Sequence, residues 1–517
     1  MVITNKNNIV KIPELGSLEI LDQLYNSNHK QFRLLSLENE GYNKNVYTHS
    51  STTPQLPSVI WRHILNFILY HYLPDRCPVF SDKLNDSKDS KEWASELALL
   101  IRDNKSLRSL NLSFNLMMDG VGEIAHVLAN DNNTLQHLNL NENGIGEVGA
   151  MELSKMIERN TGLESLILDT NRFGEGSLRQ IISSLEMNKQ IKKISLAMVG
   201  NIDGQQLGQY IQNSPKLEHL NLMVNEFGRF GQCVFDSVVE HPNIQTLNLS
   251  YTKIRSSESK AGLQRMIEQN QKITTLNLSY AFIDSDVTDI MRALLFNKTL
   301  TSMDLSLNSI ESIQGAILGA YLLTNKSLIS LNLGGNILGT SGTSPILNAL
   351  LYNNTLKTLN LRKNQIKVLE ENVIFQVLSK NTTLTSLDLY QNSLSTNIGH
   401  EIACGLAVNH TLTSIDLSCN EFGVECADSF QQSLVNNNSL RYINLIGNGF
   451  GRQPSFALHA TYKNRFEQFK IEDGNSSNPK PAITFEKLTT TTLNNNNNNN
   501  NNNSFPNEYY LDWFVCI

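Results

Sequence analysis

The sequence predicts an α/β solenoid in which short parallel strands line a concave face and helices back them on a convex face. Three observations carry this. A nine-residue frame with apolar first, fourth and sixth positions begins at Leu107, Leu135, Leu163, Ile191, Leu217, Ile244, Ile273, Leu300, Leu328, Leu356, Leu384, Leu412 and Leu440, thirteen starts separated by 26 to 29 residues. Inside each frame apolar and polar residues alternate, the period of a half-buried strand. After each frame the period changes: in GEVGAMELSKMIERN, 146–160, Ala150, Leu153, Met156 and Ile157 fall on one helical face.

Each element follows from simple chemistry. Every buried frame leucine contributes roughly 1.5–3 kcal/mol. The ninth residue is usually Asn, whose amide can bond the backbone groups that a turn leaves unpaired; such a group, left alone, costs about 1–3 kcal/mol. One unit cannot bury its own apolar face, so units stack. Strands stack about 4.8 Å apart and packed helices about 8–10 Å apart, so the stack bends with the strands inside. A chain of 517 residues is thereby one growing stack rather than several domains. Val199, Thr252 and Ala281 replace the ninth-position Asn; Thr252 can still bond, while looser or hydrated turns are expected at Val199 and Ala281.

Written out, L-x-x-L-x-L-x-x-N over a period near 28 residues resembles the leucine-rich repeat family, in the long-repeat class of ribonuclease inhibitor, the Ran GTPase-activating protein and the NOD-like receptors. The resemblance covers 107–470, about 70% of the chain, and implies a right-handed leucine-rich-repeat horseshoe.

The ends are expected to differ. Residues 1–78 read as a capping region with an amphipathic helix over 56–73, and QFRLLSLENE, 31–40, as an isolated strand. Residues 79–106 read as a degenerate first repeat whose helix is EWASELALLIRDN, 92–104. The thirteen repeats then occupy 107–471, closed by a helix over 455–469. Residues 472–508, with ten consecutive Asn at 494–503, have too little apolar content to order, and YYLDWFVCI, 509–517, is an aromatic tail.

Composition narrows function. Charged residues are 18% with a net charge of −7 and no basic run, which argues against nucleic acid. Six cysteines without a paired spacing fit a reduced compartment, so a cytoplasmic or nuclear location is expected. No stretch is long and apolar enough for membrane insertion. No phosphate-binding loop, H-E-x-x-H or G-x-S-x-G motif occurs, and His137 and His219 lie three strands apart, about 14 Å, too far for one metal. Asp284, Asp286 and Asp289 suit a helix start better than an ion. The chain is expected to be a non-enzymatic monomer without cofactor or metal, whose partner is a protein.

The third, fifth, seventh and eighth frame positions are expected to face the concave floor. The eighth column carries Met198, Val224, Tyr251, Tyr280 and Leu307 in five successive units, with Met223 beside Val224. Such a stripe marks a contact surface, since Tyr and Met are common interface residues. Arg362 and Lys363 beside Tyr390 make a second patch suited to an acidic group or a cation–π contact. Finally, LPSVIWRHILNFIL, 56–69, resembles the opening helix of an F-box through Leu56, Pro57, Ile60, Ile64 and Leu65; that resemblance implies a ubiquitin-ligase receptor docking a Skp-type adaptor. The following DSKEW, 89–93, departs from the F-box pattern by placing Asp89 where an apolar residue belongs. A GTPase-activating role of the Ran type is the remaining alternative, although no arginine matches by motif. The leading expectation is a protein-binding scaffold that uses its concave face.

Overall fold

The computed structural model describes residues 2–5, 8–11, 87–282, 287–462 and 468–471, all within one compact unit, Met1–Asn475. β1 (Val2–Asn5) and β2 (Asn8–Lys11) form a separate antiparallel pair. The other strands make one parallel sheet of fourteen in chain order. They are β3 (Ser109–Asn111), β4 (His137–Asn139), β5 (Ser165–Ile167), β6 (Lys193–Ser195), β7 (His219–Asn221), β8 (Thr246–Asn248) and β9 (Thr275–Asn277). β10 (Ser302–Asp304), β11 (Ser330–Asn332), β12 (Thr358–Asn360), β13 (Ser386–Asp388), β14 (Ser414–Asp416), β15 (Tyr442–Asn444) and β16 (Gln468–Lys470) complete it. Each strand from β3 to β15 is the third to fifth residue of a frame. Third positions lie opposite third positions throughout, as in Ser386, Ser414 and Tyr442. A helix follows each of these strands, so strands fill one layer and helices the other. The fold is the expected α/β leucine-rich-repeat solenoid.

All thirteen frame starts are buried, from Leu107 at 2% to Leu440 at 5% exposed. They join the fourth and sixth positions and the helix faces in one continuous apolar cluster running from Ala94 to Ile471. Polar groups inside the stack are satisfied by two asparagine ladders. In the first, Asn308 Nδ2 donates to Leu305 O at 3.0 Å and to Leu278 O of the preceding repeat at 2.8 Å. Its Oδ1 accepts the backbone N–H of Ala281 and Phe282. The turns at Val199 and Ala281 are therefore not loose. Val199 and Ala281 are buried, 5% and 0% exposed, and their N–H groups are held by Asn225 and Asn308 of the next repeat. Thr252 Oγ1 donates to Leu249 O at 2.6 Å, as its chemistry allows.

A second ladder runs along the helix C-termini. Asn381, for example, donates to Leu350 O and Asn353 O and accepts from Thr383 N and Leu384 N. Two rungs use other residues, Ser214 and His241; His241 Nδ1 accepts from Asn243 N and Ile244 N, and its Nε2 meets Ser214 O at 3.1 Å.

The ends differ from expectation in extent. The helix ahead of β3 spans Ser87–Asp103, beginning five residues before the predicted 92. The predicted closing helix over 455–469 is instead Arg452–Tyr462 followed by β16, whose Phe469 sits opposite Ile443. The polar–apolar–polar alternation of Gln468, Phe469 and Lys470 is the period of a strand. The proposed helix 56–73, the strand at 31–40, residues 79–86, Asp284, Asp286 and everything from 472 onward lie outside the described residues.

Candidate functional site

The sheet face is built from the residues between the buried leucines. At the fifth position, Asn or Asp accepts the N–H of its own seventh residue, as Asn248 does from Ser250 at 3.0 Å. Where the seventh residue is Ser, its hydroxyl adds a second bond, 2.6 Å for Ser306 to Asp304. This loop folds the seventh side chain toward the sheet, which suits Ser, Ala and Gly. It also corrects the expectation for Met223: at the seventh position it is only 8% exposed, so it belongs to the floor beneath the stripe.

The eighth position has a distinct backbone. In all thirteen repeats it is left-handed, with φ between 52° and 74°, and only Gly335 and Gly447 in that column are glycine. Left-handed geometry costs an L-residue roughly 1–2 kcal/mol. The conformation is over-determined by hydrogen bonds: Met198, Tyr251, Tyr280 and Leu307 each donate their N–H, at 2.9 Å, to the seventh-position carbonyl of the next repeat. The column therefore lies in the turn after each strand and forms a ridge along the edge of the sheet face.

On that ridge Met198 is 39% exposed, while Val224, Tyr251, Tyr280 and Leu307 are half-buried. Part of their burial is mutual. The rings of Tyr251 and Tyr280 lie 4.5 Å apart at 35°, a geometry worth about 0.5–1.5 kcal/mol beyond area burial. Leu307 lies over Gly335, where any Cβ would meet Leu307 Cδ2. Gly335 thus ends the apolar row and separates it from the second patch.

In that second patch Lys363 Nζ stands 5.5 Å from the centre of the Tyr390 ring, the predicted cation–π contact. Arg362 lies across Gly334, close enough that a Cβ there would touch its Cγ at 2.9 Å. Half-buried carboxyls surround it. Burial raises Asp304, opposed by bonds from Ser306 and Asn332 and by Arg362. Asp388 is pushed up to about 6 by burial, with nearby Asp416 adding to the rise and Arg362 opposing it. Tyr442 donates to Asp416 Oδ2 at 3.2 Å.

Sequence reasoning missed three features. Phe114, Leu116 and Met118, 54%, 39% and 39% exposed, form an apolar turn in the first complete repeat. Asp169 replaces the absent fifth-position amide of the next repeat: its Oδ1 accepts from Ser195 Oγ at 2.5 Å and Ala197 N at 2.7 Å, and burial pushes it up to about 6. His137 and His219, dismissed as metal ligands, sit on the same row as Lys193. No group of metal-ligating side chains occurs among the described residues, and none of their helices is long and apolar enough to cross a membrane. Leu56, Pro57, Ile60, Ile64 and Leu65 lie outside the described residues.

A parallel stack of strands backed by helices, with an apolar ridge along its sheet face, is the architecture of a solenoid repeat protein. Residues 131–154, 352–367 and 408–429 match the family described as Leucine Rich repeat. The chain is similar to a solved internalin from Listeria monocytogenes with 17% identity and a TM-score of 0.43, over 69% of this chain and 94% of that one. It is also similar to actin-binding site 2 of leiomodin-1, with 22% identity and a TM-score of 0.25, over 29% of this chain and 91% of that one. No curated protein matches the chain.

Proposed function

We propose that this protein is a non-enzymatic protein-binding scaffold of the long-repeat, ribonuclease-inhibitor-like class. Its contact surface is the ridge of Met198, Val224, Tyr251, Tyr280 and Leu307, with Met223 as supporting floor and Arg362, Lys363 and Tyr390 as a second contact. The observation that carries this reading is a run of five partly exposed apolar or aromatic side chains in a column that elsewhere carries the exposed polar residues Glu142, Lys363 and Gln391. Tyrosine and methionine held rigidly at an edge lose little entropy on association. The period near 28 residues supports the long-repeat class.

The test is affinity capture with the full chain and with a Tyr251→Ala, Tyr280→Ala double variant, each followed by a thermal melt. The reading expects the captured proteins to be lost while the melting temperature falls by no more than ~3 °C. A large fall in melting temperature with capture intact would instead assign the rings to the core.

A further inference from the structure

The third frame position is Ser or Thr in nine of the thirteen repeats; the exceptions are His137, Lys193, His219 and Tyr442. Three of these four are basic, and they are clustered. In register across the sheet the row reads His137, Ser165, Lys193, His219 on β4 to β7. Burial lowers both histidines, taking His219 down to about 4; Lys193 adds to the fall at each, and Glu164 opposes it at His137.

The groups around this row are already engaged. Lys192 holds Glu164 at 3.0 Å. Below the row, Ser195 Oγ donates to Asp169 and accepts from Asn221 Nδ2 at 2.8 Å. Lys193 makes no ion pair among the described residues. His219 Nδ1 is buried without a hydrogen-bond partner, and its Nε2 stands 4.0 Å from Glu218, beyond hydrogen-bond range. On β8 the next residue of the row is the neutral Thr246. The open chemistry is one lysine ammonium flanked by two imidazoles, one of which lacks a partner.

We propose that Lys193, flanked by His137 and His219, receives an acidic side chain of the partner protein. This deepens the scaffold reading and rests on it. The charge and the donors suit a carboxylate, and the ridge fixes where the rest of the partner lies. Met198 and Val224 follow Lys193 and His219 by five residues in their own repeats, part strand and part turn, so the two groups lie within roughly 15 Å. The partner segment carries Asp or Glu within about five residues of an apolar cluster if extended, or within about ten if helical. A bound carboxylate also stabilises the imidazolium forms that Lys193 now disfavours, so association strengthens as pH falls.

A random peptide library of 16-residue members, displayed on phage and selected on the full chain, supplies the probe. Selected peptides are expected to combine Asp or Glu with an aromatic or aliphatic cluster. Lys193→Glu weakens them about 10- to 100-fold without changing the melt, and a selection repeated on that variant turns toward Lys and Arg. Binding tightens several-fold between pH 7.5 and 5.5, and a His137→Gln, His219→Gln double variant removes that change. Peptides with no acidic preference that bind Lys193→Glu equally well, yet fail on the tyrosine double variant, would overturn the carboxylate subsite and leave the ridge. Peptides indifferent to both sets of variants, or no retained peptide at all, would overturn both.

Discussion

Val224 shows how strain and position meet at one residue. A β-branched side chain at φ 56° is far from its preferred backbone. Val224→Gly is expected to raise stability by about 1 kcal/mol in a denaturant titration, because glycine adopts that turn without steric cost. Gly335→Ala is expected to lower it: φ is already 70° and the added methyl meets Leu307. Asp169 is a second local case. Its carboxyl is raised to about 6, so its protonated form is favoured and its contribution declines as pH rises from 3.8 through 6. Asp169→Asn keeps an acceptor for Ser195 and Ala197, and is expected to stabilise the protein at pH 7.5 by about 1 kcal/mol, with less gain at pH 4.5; partial solvent contact limits the size. The identities in the eighth column were legible in the sequence, but their left-handed turn was not. Val, Tyr, Leu and Met carry no signal for that conformation, and only Gly335 and Gly447 hinted at it.

At the scale of the repeating element the ladders dominate. Asn308→Ala removes two donated and two accepted bonds in a buried turn and leaves the carbonyls of Leu278 and Leu305 short of a partner. It is expected to cost about 3 kcal/mol or more by chemical denaturation, whereas Thr252→Ala, which loses one bond, costs about 1. His241 gives its rung a pH dependence that asparagine rungs lack. Burial lowers it below 6.5, although its contacts with Ser214 and Ile211 pull the other way. The unfolded chain then takes up its proton first, so stability is full above pH 6.5 and declines as pH falls below that value. His241→Asn is expected to flatten part of the acid limb of a melting-temperature profile. The first ladder was readable from the frame. The second was present in the same phrase, as Asn381 and Asn409 just ahead of their leucines, yet its role appears only once helix ends from adjacent repeats stand side by side. The β16 alternation was hidden because Gln468–Lys470 lacks a leucine frame.

At the scale of the molecule, stability is a sum of repeats and nearest-neighbour interfaces. Removing 410–437 joins Asn409 to Asn438 and deletes β14 and the helix Cys426–Asn436 in one whole period. The shortened chain is expected to melt in a single transition a few degrees lower and to keep the tyrosine ridge; two separated transitions would contradict the stack. The architecture was legible because thirteen spaced frames average out local irregularity. The proposed binding face was legible only as columns of residue types, since which member of a column is open depends on how each turn closes.

The uniform register of the turns has one more consequence. Each eighth residue hangs on a backbone fixed by its neighbours' amides rather than by its own side chain. The row can accordingly be rewritten one letter at a time, and the scaffold beneath will tolerate the edit wherever, unlike at Gly335, no neighbouring side chain already fills the space. Divergent copies of such a chain are free to exchange one customer for another without having to learn again how to fold.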